Sequence, residues 1–203
     1  MVVTEIKAVT KTRFRVYLDD EFAFVLYKGE LFRYHLEKGA ELSEKDYHEI
    51  RQNIILKRAK LRAMHLLTDM DRTECQLRDK LLTGGYPEDI AEQAIDYVKS
   101  FGYINDREYA RRFVENKKHI KSRRELYALL SRKGLDTGLI EDALEECLEG
   151  GDAEEAIYAL LRRKRFNPEA ATEKEKQKAG AYLARKGFHY EDIRRAIQFY
   201  NEL

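Results

Sequence analysis

The sequence predicts a mostly α-helical protein: three tandem three-helix modules in an elongated, curved array, preceded by a small three-stranded β element. Three observations predict it. Strand-like alternation of apolar and polar residues is confined to residues 2–27. Helical periodicity covers the rest. A helix closed by a glycine and a large apolar residue recurs at Gly85-Tyr86, Gly134-Leu135 and Gly187-Phe188, a spacing of about fifty residues that marks an internal repeat. With 11 glycines, 2 prolines and 37% charged side chains in 203 residues, the chain reads as helix-rich with solvated faces.

In the β element, Arg13-Phe14-Arg15-Val16-Tyr17-Leu18 alternates strictly, and Phe22, Phe24 and Leu26 repeat the pattern. Thr10-Lys11-Thr12 and Asp19-Asp20 supply the turns. Three strands need one face covered, so the sheet is expected to pack on helices. Helix begins after Ser43, whose hydroxyl suits an N-cap, with Glu44 and Asp46 at the positive end of the dipole. Ile50, Ile54, Leu61, Met64 and Leu67 then recur at helical spacing, predicting one long helix to about Thr68.

Each glycine stop is followed by an acidic or proline-containing first turn, namely Pro87-Glu88-Asp89, Asp136-Thr137 and Tyr190-Glu191-Asp192. The next helix carries Ile90, Ala94 and Ile95, then Leu139, Ile140, Ala143 and Leu144, then Ile193, Ala196 and Ile197. One further helix precedes each copy, at residues 50–68, 106–118 and 152–165. The expected boundaries are 1–42 for the β extension and 43–103, 104–150 and 151–203 for the modules, with Gly150-Gly151 as a connector. A stacked array presents a long surface, which suits a macromolecular partner.

Net charge is +1, from 38 Lys plus Arg against 37 Asp plus Glu, yet the charges are segregated. Residues 51–67 hold Arg51, Lys57, Arg58, Lys60 and Arg62 with no acid. Residues 109–133 hold nine bases against Glu115 and Glu125, residues 134–161 nine acids and no base, and residues 162–195 eleven bases against five acids. A near-neutral total therefore leaves room for both a nucleic-acid-facing and a protein-facing surface.

Chemistry motifs are sparse. His35, His48, His65, His119 and His189 show no ligand spacing, and no GxGxxG, GxxxxGK[ST] or GxSxG occurs. Cys75 lies just inside a helix capped by Thr73, and Cys147 reads as core. No catalytic residue, metal ligand or cofactor is expected. The first residues read as a strand rather than a signal peptide, no run is long enough to span a membrane, and two cysteines fit a reducing cytoplasm.

The candidate binding residues are cations. Lys117, Lys118, Lys121, Arg123 and Arg124 cross a helix–turn–helix junction, where Ser122 and the following N–H groups offer anion contacts. Arg162, Arg163, Lys164 and Arg165 end a helix, and Arg132-Lys133 and Arg185-Lys186 fall at matching helix ends of successive modules. Stacking is expected to align them into a stripe for a phosphate backbone. Any single run has an alternative reading as a solvated face.

These residues resemble the bacterial RecX family over nearly the whole chain. The resemblance is carried by Arg72-Thr73-Glu74-Cys75-Gln76-Leu77-Arg78-Asp79-Lys80-Leu81, Phe101-Gly102-Tyr103-Ile104-Asn105-Asp106-Arg107-Glu108-Tyr109-Ala110, Leu129-Leu130-Ser131-Arg132-Lys133-Gly134-Leu135 and Tyr182-Leu183-Ala184-Arg185-Lys186-Gly187-Phe188. Met70, Gln76, Asn105 and Tyr109 depart from the residues usual in that family. The resemblance implies a non-enzymatic, cytoplasmic and monomeric regulator that binds the RecA recombinase and its DNA filament. It would inhibit or modulate recombination, ATPase and co-protease activities in DNA repair and the SOS response. The alternative is a stand-alone helical DNA-binding protein or transcription regulator, reading a helix–turn–helix in 122–149.

Overall fold

The structure, a computed structural model of the chain, describes residues 1–149, 151–167 and 170–198. Gly150, half of the expected connector, lies outside them. Two compact units divide the chain, Met1–Asn105 and Asp106–Leu203.

In the first unit, strands β1 (Val3–Ala8), β2 (Arg13–Leu18) and β3 (Glu21–Tyr27) form an antiparallel sheet in the order β1-β2-β3. Asp19 and Asp20 both take positive φ, +48° and +70°, the backbone of a tight turn whose twist matches that of the strands it joins. Val16, Leu18, Phe24 and Leu26 share one core with the helices of this unit, so the sheet is covered as expected. Burial along β3 runs unbroken from Ala23 to Leu26 instead of alternating. The reason is a second neighbour: a Cβ built at Gly85 would lie 2.9 Å from Val25 Cγ2, so the other face of β3 rests on the first glycine stop. A short helix that the sequence pattern did not announce, α1 (Lys28–Arg33), follows β3 and is started by Glu30, which accepts from the Tyr27 N–H at 2.7 Å.

The long helix exists, with a difference. Ser43 caps α2 (Glu44–Glu49) by accepting from the Asp46 N–H at 3.1 Å, a π-helical segment covers Ile50–Leu56, and α3 (Lys57–Asp69) completes it. The wider turn of a π segment shifts the buried face by about one residue. Ile50, Ile55, Leu56, Ala59, Ala63 and Leu66 are buried, while the expected Ile54, Met64 and Leu67 are only half-buried and Leu61 is exposed. Helices α4 (Glu74–Thr83) and α5 (Glu88–Ser100) finish the unit, burying Leu77, Leu81, Ile90, Ala94, Ile95 and Val98. Thr73 and Gln76 form a reciprocal cap at the start of α4, so glutamine serves where a glutamate would.

The second unit holds α6 (Asp106–Glu115), α7 (Arg123–Ser131) and α8 (Thr137–Cys147), then α9 (Asp152–Arg163), α10 (Glu173–Arg185) and α11 (Tyr190–Gln198). The first three close on Ala110, Val114, Leu126, Leu130, Ile140, Leu144 and Cys147, and the last three on Ala156, Ile157, Leu161, Leu183, Ile193 and Ala196. All three repeated stops have one geometry. Gly85, Gly134 and Gly187 have φ of +87°, +77° and +90°. Tyr86, Leu135 and Phe188 each donate a backbone N–H back to Leu81, Leu130 and Leu183, while each glycine donates three residues back. The protein is thus mostly α, with a three-stranded antiparallel sheet and three three-helix domains in tandem.

One ion cluster ties α4 to α5. Arg78 bonds both Glu74, at 2.9 Å, and Glu92, and Lys99 reaches Glu74 at 2.7 Å. Lys99, then Arg78, holds the Glu74 carboxyl below the usual range, and Arg78 does the same to Glu92. A carboxylate with a depressed native pKa stabilises above its unfolded value of ~4.3, and that stability disappears as pH falls through the native value. Arg78→Ala is therefore expected to cost ~1 kcal/mol near neutrality, since the groups are partly exposed, and the deficit should shrink below about pH 4. Urea midpoints of both proteins at pH 7 and pH 3 check this; an equal deficit at both would assign the loss to packing.

Candidate nucleic-acid interface

The sequence-predicted cations lie on α6–α10 and their turns, and the folded chain sorts them into groups. The first forms where the stop of α10 meets the start of α7. Ser122, only 2% exposed, caps α7 by accepting from the Glu125 N–H at 3.1 Å and donates its hydroxyl to the Lys186 carbonyl at 2.6 Å. This corrects the expectation that Ser122 offers its hydroxyl to an anion, because the proton is spent inside the protein. The same contact lays Gly187 against Arg124: a Cβ there would stand 2.8 Å from Arg124 Cβ. Arg123, Arg124, Arg185 and Lys186 therefore gather at one junction. Glu125 partly neutralises it, taking Lys121 at 2.6 Å and Lys186 at 3.8 Å.

A second group surrounds a stacked aromatic pair on α6, Tyr109 and Phe113, with ring centroids 6.4 Å apart. Lys117 and Lys133 each stand 5.5 Å from the Phe113 centroid, and Lys133 stands equally far from Tyr109. Arg132 is exposed beside Lys133 in the chain. Cations interleaved with rings suit single strands, whose bases stack on aromatics while phosphates meet the charge. The sequence reading passed over Tyr109 and Phe113 as binding residues; their i, i+4 spacing was the available signal. The third group, Arg162, Arg163, Lys164 and Arg165, is exposed at the end of α9, with Lys164 lying 4.2 Å over the Tyr182 ring of α10.

Lys118 stands apart. Its side chain is 12% exposed, and its ammonium donates to the Cys147 carbonyl at 3.1 Å while facing Glu115 at 3.3 Å and Asp152 at 3.7 Å. Burial pulls this ammonium down, and the Glu115, Asp152 and Glu149 carboxylates together more than offset it, holding it above the usual lysine range. Asp152 is drawn into the same knot by His119, whose Nδ1 lies 3.5 Å from it and 2.6 Å from Glu155. His119, Asp152 and Glu155 are the group among the described residues with a geometry that would admit a cation. The Lys118 ammonium already sits at the other Asp152 oxygen, and the cluster works as an ion-pair knot between the α6–α7 turn and α9. Sequence spacing concealed it, since Lys118 and His119 lie more than thirty positions before Asp152 and Glu155 in the chain. Cys147 is buried as expected, and burial pushes its thiol up, away from reactivity.

Arg123, Arg124, Arg132, Arg162, Arg163, Arg165 and Arg185 remain exposed with no ion pair among the described residues. On α8, Glu141, Asp142, Glu145 and Glu146 are exposed on the acidic segment. No helix among the described residues is long and apolar enough to cross a membrane.

Comparison with known proteins places this arrangement. The models of the first, second and third three-helix domains of RecX match residues 59–97, 105–144 and 152–197. Regulatory protein RecX of Caldanaerobacter subterraneus subsp. tengcongensis is 32% identical over 199 residues, covering 97% of this chain and 98% of that protein. Its counterpart in Clostridioides difficile is 28% identical over 202 residues, covering 97% and 94%. A crystal structure of a regulatory protein RecX aligns with a TM-score of 0.63 at 26% identity, over 97% of this chain and 98% of that one. The crystal structure of RecX from Lactobacillus salivarius gives 0.59 at 26% identity, over 70% and 94%. With the family's three domains matched in order and a relative matched end to end, the chain belongs to the RecX family.

Proposed function

We propose that this protein is a non-enzymatic, monomeric regulator of the RecA recombinase. It binds the RecA–DNA filament in the cytoplasm and inhibits or modulates its recombination, ATPase and co-protease activities during DNA repair and the SOS response. The observation that carries the reading is the set of exposed arginines without partners at the α7–α10 junction and at the end of α9, in a chain of a family named as regulatory proteins. Unpaired guanidiniums gain from phosphates by releasing counterions, with no internal ion pair to break first. The exposed acids of α8 give the same chain a surface for a basic face of the recombinase.

The decisive measurement is the single-stranded-DNA-dependent ATPase of RecA, titrated with this protein. Inhibition at substoichiometric ratios is expected, because an agent that acts on filament growth or disassembly affects many subunits per bound molecule. An unchanged rate at every ratio would overturn the reading.

A further inference from the structure

The basic run at 51–67 plays no part in the interface above; in the first unit two of its five cations, Arg58 and Arg62, line one recess. Between the sheet and the first glycine stop lies a recess of about 280 Å³, lined by Arg13 from β2, Tyr27 from β3, Arg58 and Arg62 from α3, and Lys80 and Tyr86 from α4 and its turn. Four cations line it and no carboxylate does. We propose that this recess is a binding site for a phosphate group.

Two of the cations build the walls. Arg13 donates to the Gly84 carbonyl at 3.0 Å, fastening β2 to the glycine stop. Arg58 donates to the Val25 carbonyl at 3.2 Å, pairs with Glu30 and lies 4.5 Å over the Tyr27 ring. Their orientations are thereby set before any ligand arrives, which is what an anion site needs if binding is not to spend its strength on ordering side chains. The other two, Arg62 and Lys80, are exposed and have no partner among the described residues. Two fixed guanidiniums, one of them balanced by Glu30 from outside the lining, and two exposed unpaired cations give a cleft whose lining charges are all positive, and such clefts concentrate anions.

Tyr86 reports how closely the charges converge. Burial pushes its hydroxyl up, and the Arg58, Arg13 and Arg62 guanidiniums act against that rise. Size limits the ligand: the recess is below the ~300–1,000 Å³ that encloses a drug-sized molecule, so it accommodates a phosphate with its immediate neighbours and leaves the remainder outside. Two sources share that chemistry, the backbone of a nucleic-acid strand and the phosphates of a free nucleotide.

The test uses the full chain and follows the backbone amide NMR signals of Gly84, Gly85 and Tyr86. The protein is titrated at low salt with inorganic pyrophosphate, with ADP and with a single-stranded oligonucleotide, then again as the Arg62→Gln/Lys80→Gln double variant. Both substituted side chains are exposed and unpaired, so the fold is retained. Pyrophosphate should shift the three signals saturably, with the double variant at least about 10-fold weaker. Matching shifts from the oligonucleotide then identify a strand as the source, and binding of ADP with a silent oligonucleotide identifies a nucleotide. No saturable shift at these amides with pyrophosphate, or unchanged affinity in the double variant, overturns the site. RecA is absent from this experiment, so its outcome is separate from that of the ATPase titration.

Discussion

Reversing charge at Arg123, Arg124, Arg162 and Arg163 together is expected to weaken single-stranded DNA binding by about 100-fold or more at low salt. It should also flatten the dependence of log K on log[salt] by about 3, from roughly 0.7 per lost phosphate contact. All four side chains are exposed and lack an ion partner among the described residues, so helicity by circular dichroism should not change. Charge reversal at Lys118 is the contrasting case. That ammonium is buried against Glu115 and Asp152, and replacing it would leave like charges facing one another. If the fourfold variant bound DNA like the parent with the same salt slope, its arginines would be an ordinary solvated face and the interface would have to be sought elsewhere.

Gly187→Ala is expected to be the most damaging single-methyl change, lowering stability by about 2–4 kcal/mol from left-handed backbone strain plus a clash. At φ +90° a side chain is strained wherever it points, and here the new Cβ would meet Arg124 Cβ at 2.8 Å and Arg124 Cδ at 3.0 Å. Cβ is fixed to the α7 backbone and cannot swing aside as a side-chain tip would. Gly102→Ala provides the control: φ is +71° but nothing lies within 4 Å, so strain alone remains, about 1 kcal/mol. Denaturant midpoints of the two variants separate the terms. Equal losses would show that Arg124 yields freely and that the contact at the stop of α10 is soft.

The repeat was readable because its signal is local. A glycine followed by a large apolar residue states both a positive φ and a hydrophobic contact, and all three stops have that form. The strands were readable for the same reason. The face of the long helix was not: Ile54, Ile55 and Leu56 are all apolar, so composition cannot tell a π turn from an α turn, and only Ile55 and Leu56 are buried. Lys118 looked like any member of a basic run, since its difference comes from Cys147 and Asp152, distant in the chain. The recess in the first unit escaped notice because Arg13 and Lys80 approach Arg58 and Arg62 only through tertiary packing of the sheet.

The shared hydroxyl of Ser122 also bears on how the second unit comes apart. One side chain starts α7 and holds the carbonyl of Lys186, which ends α10, so fraying at either end removes a bond from the other. Neighbours coupled in this way open as one cooperative block, not as independent repeats. Native-state hydrogen exchange would display it as a common opening free energy for amides such as Leu126 and Phe188, although they are 62 positions apart in the chain. Loss of Ser122 would divide that common value in two.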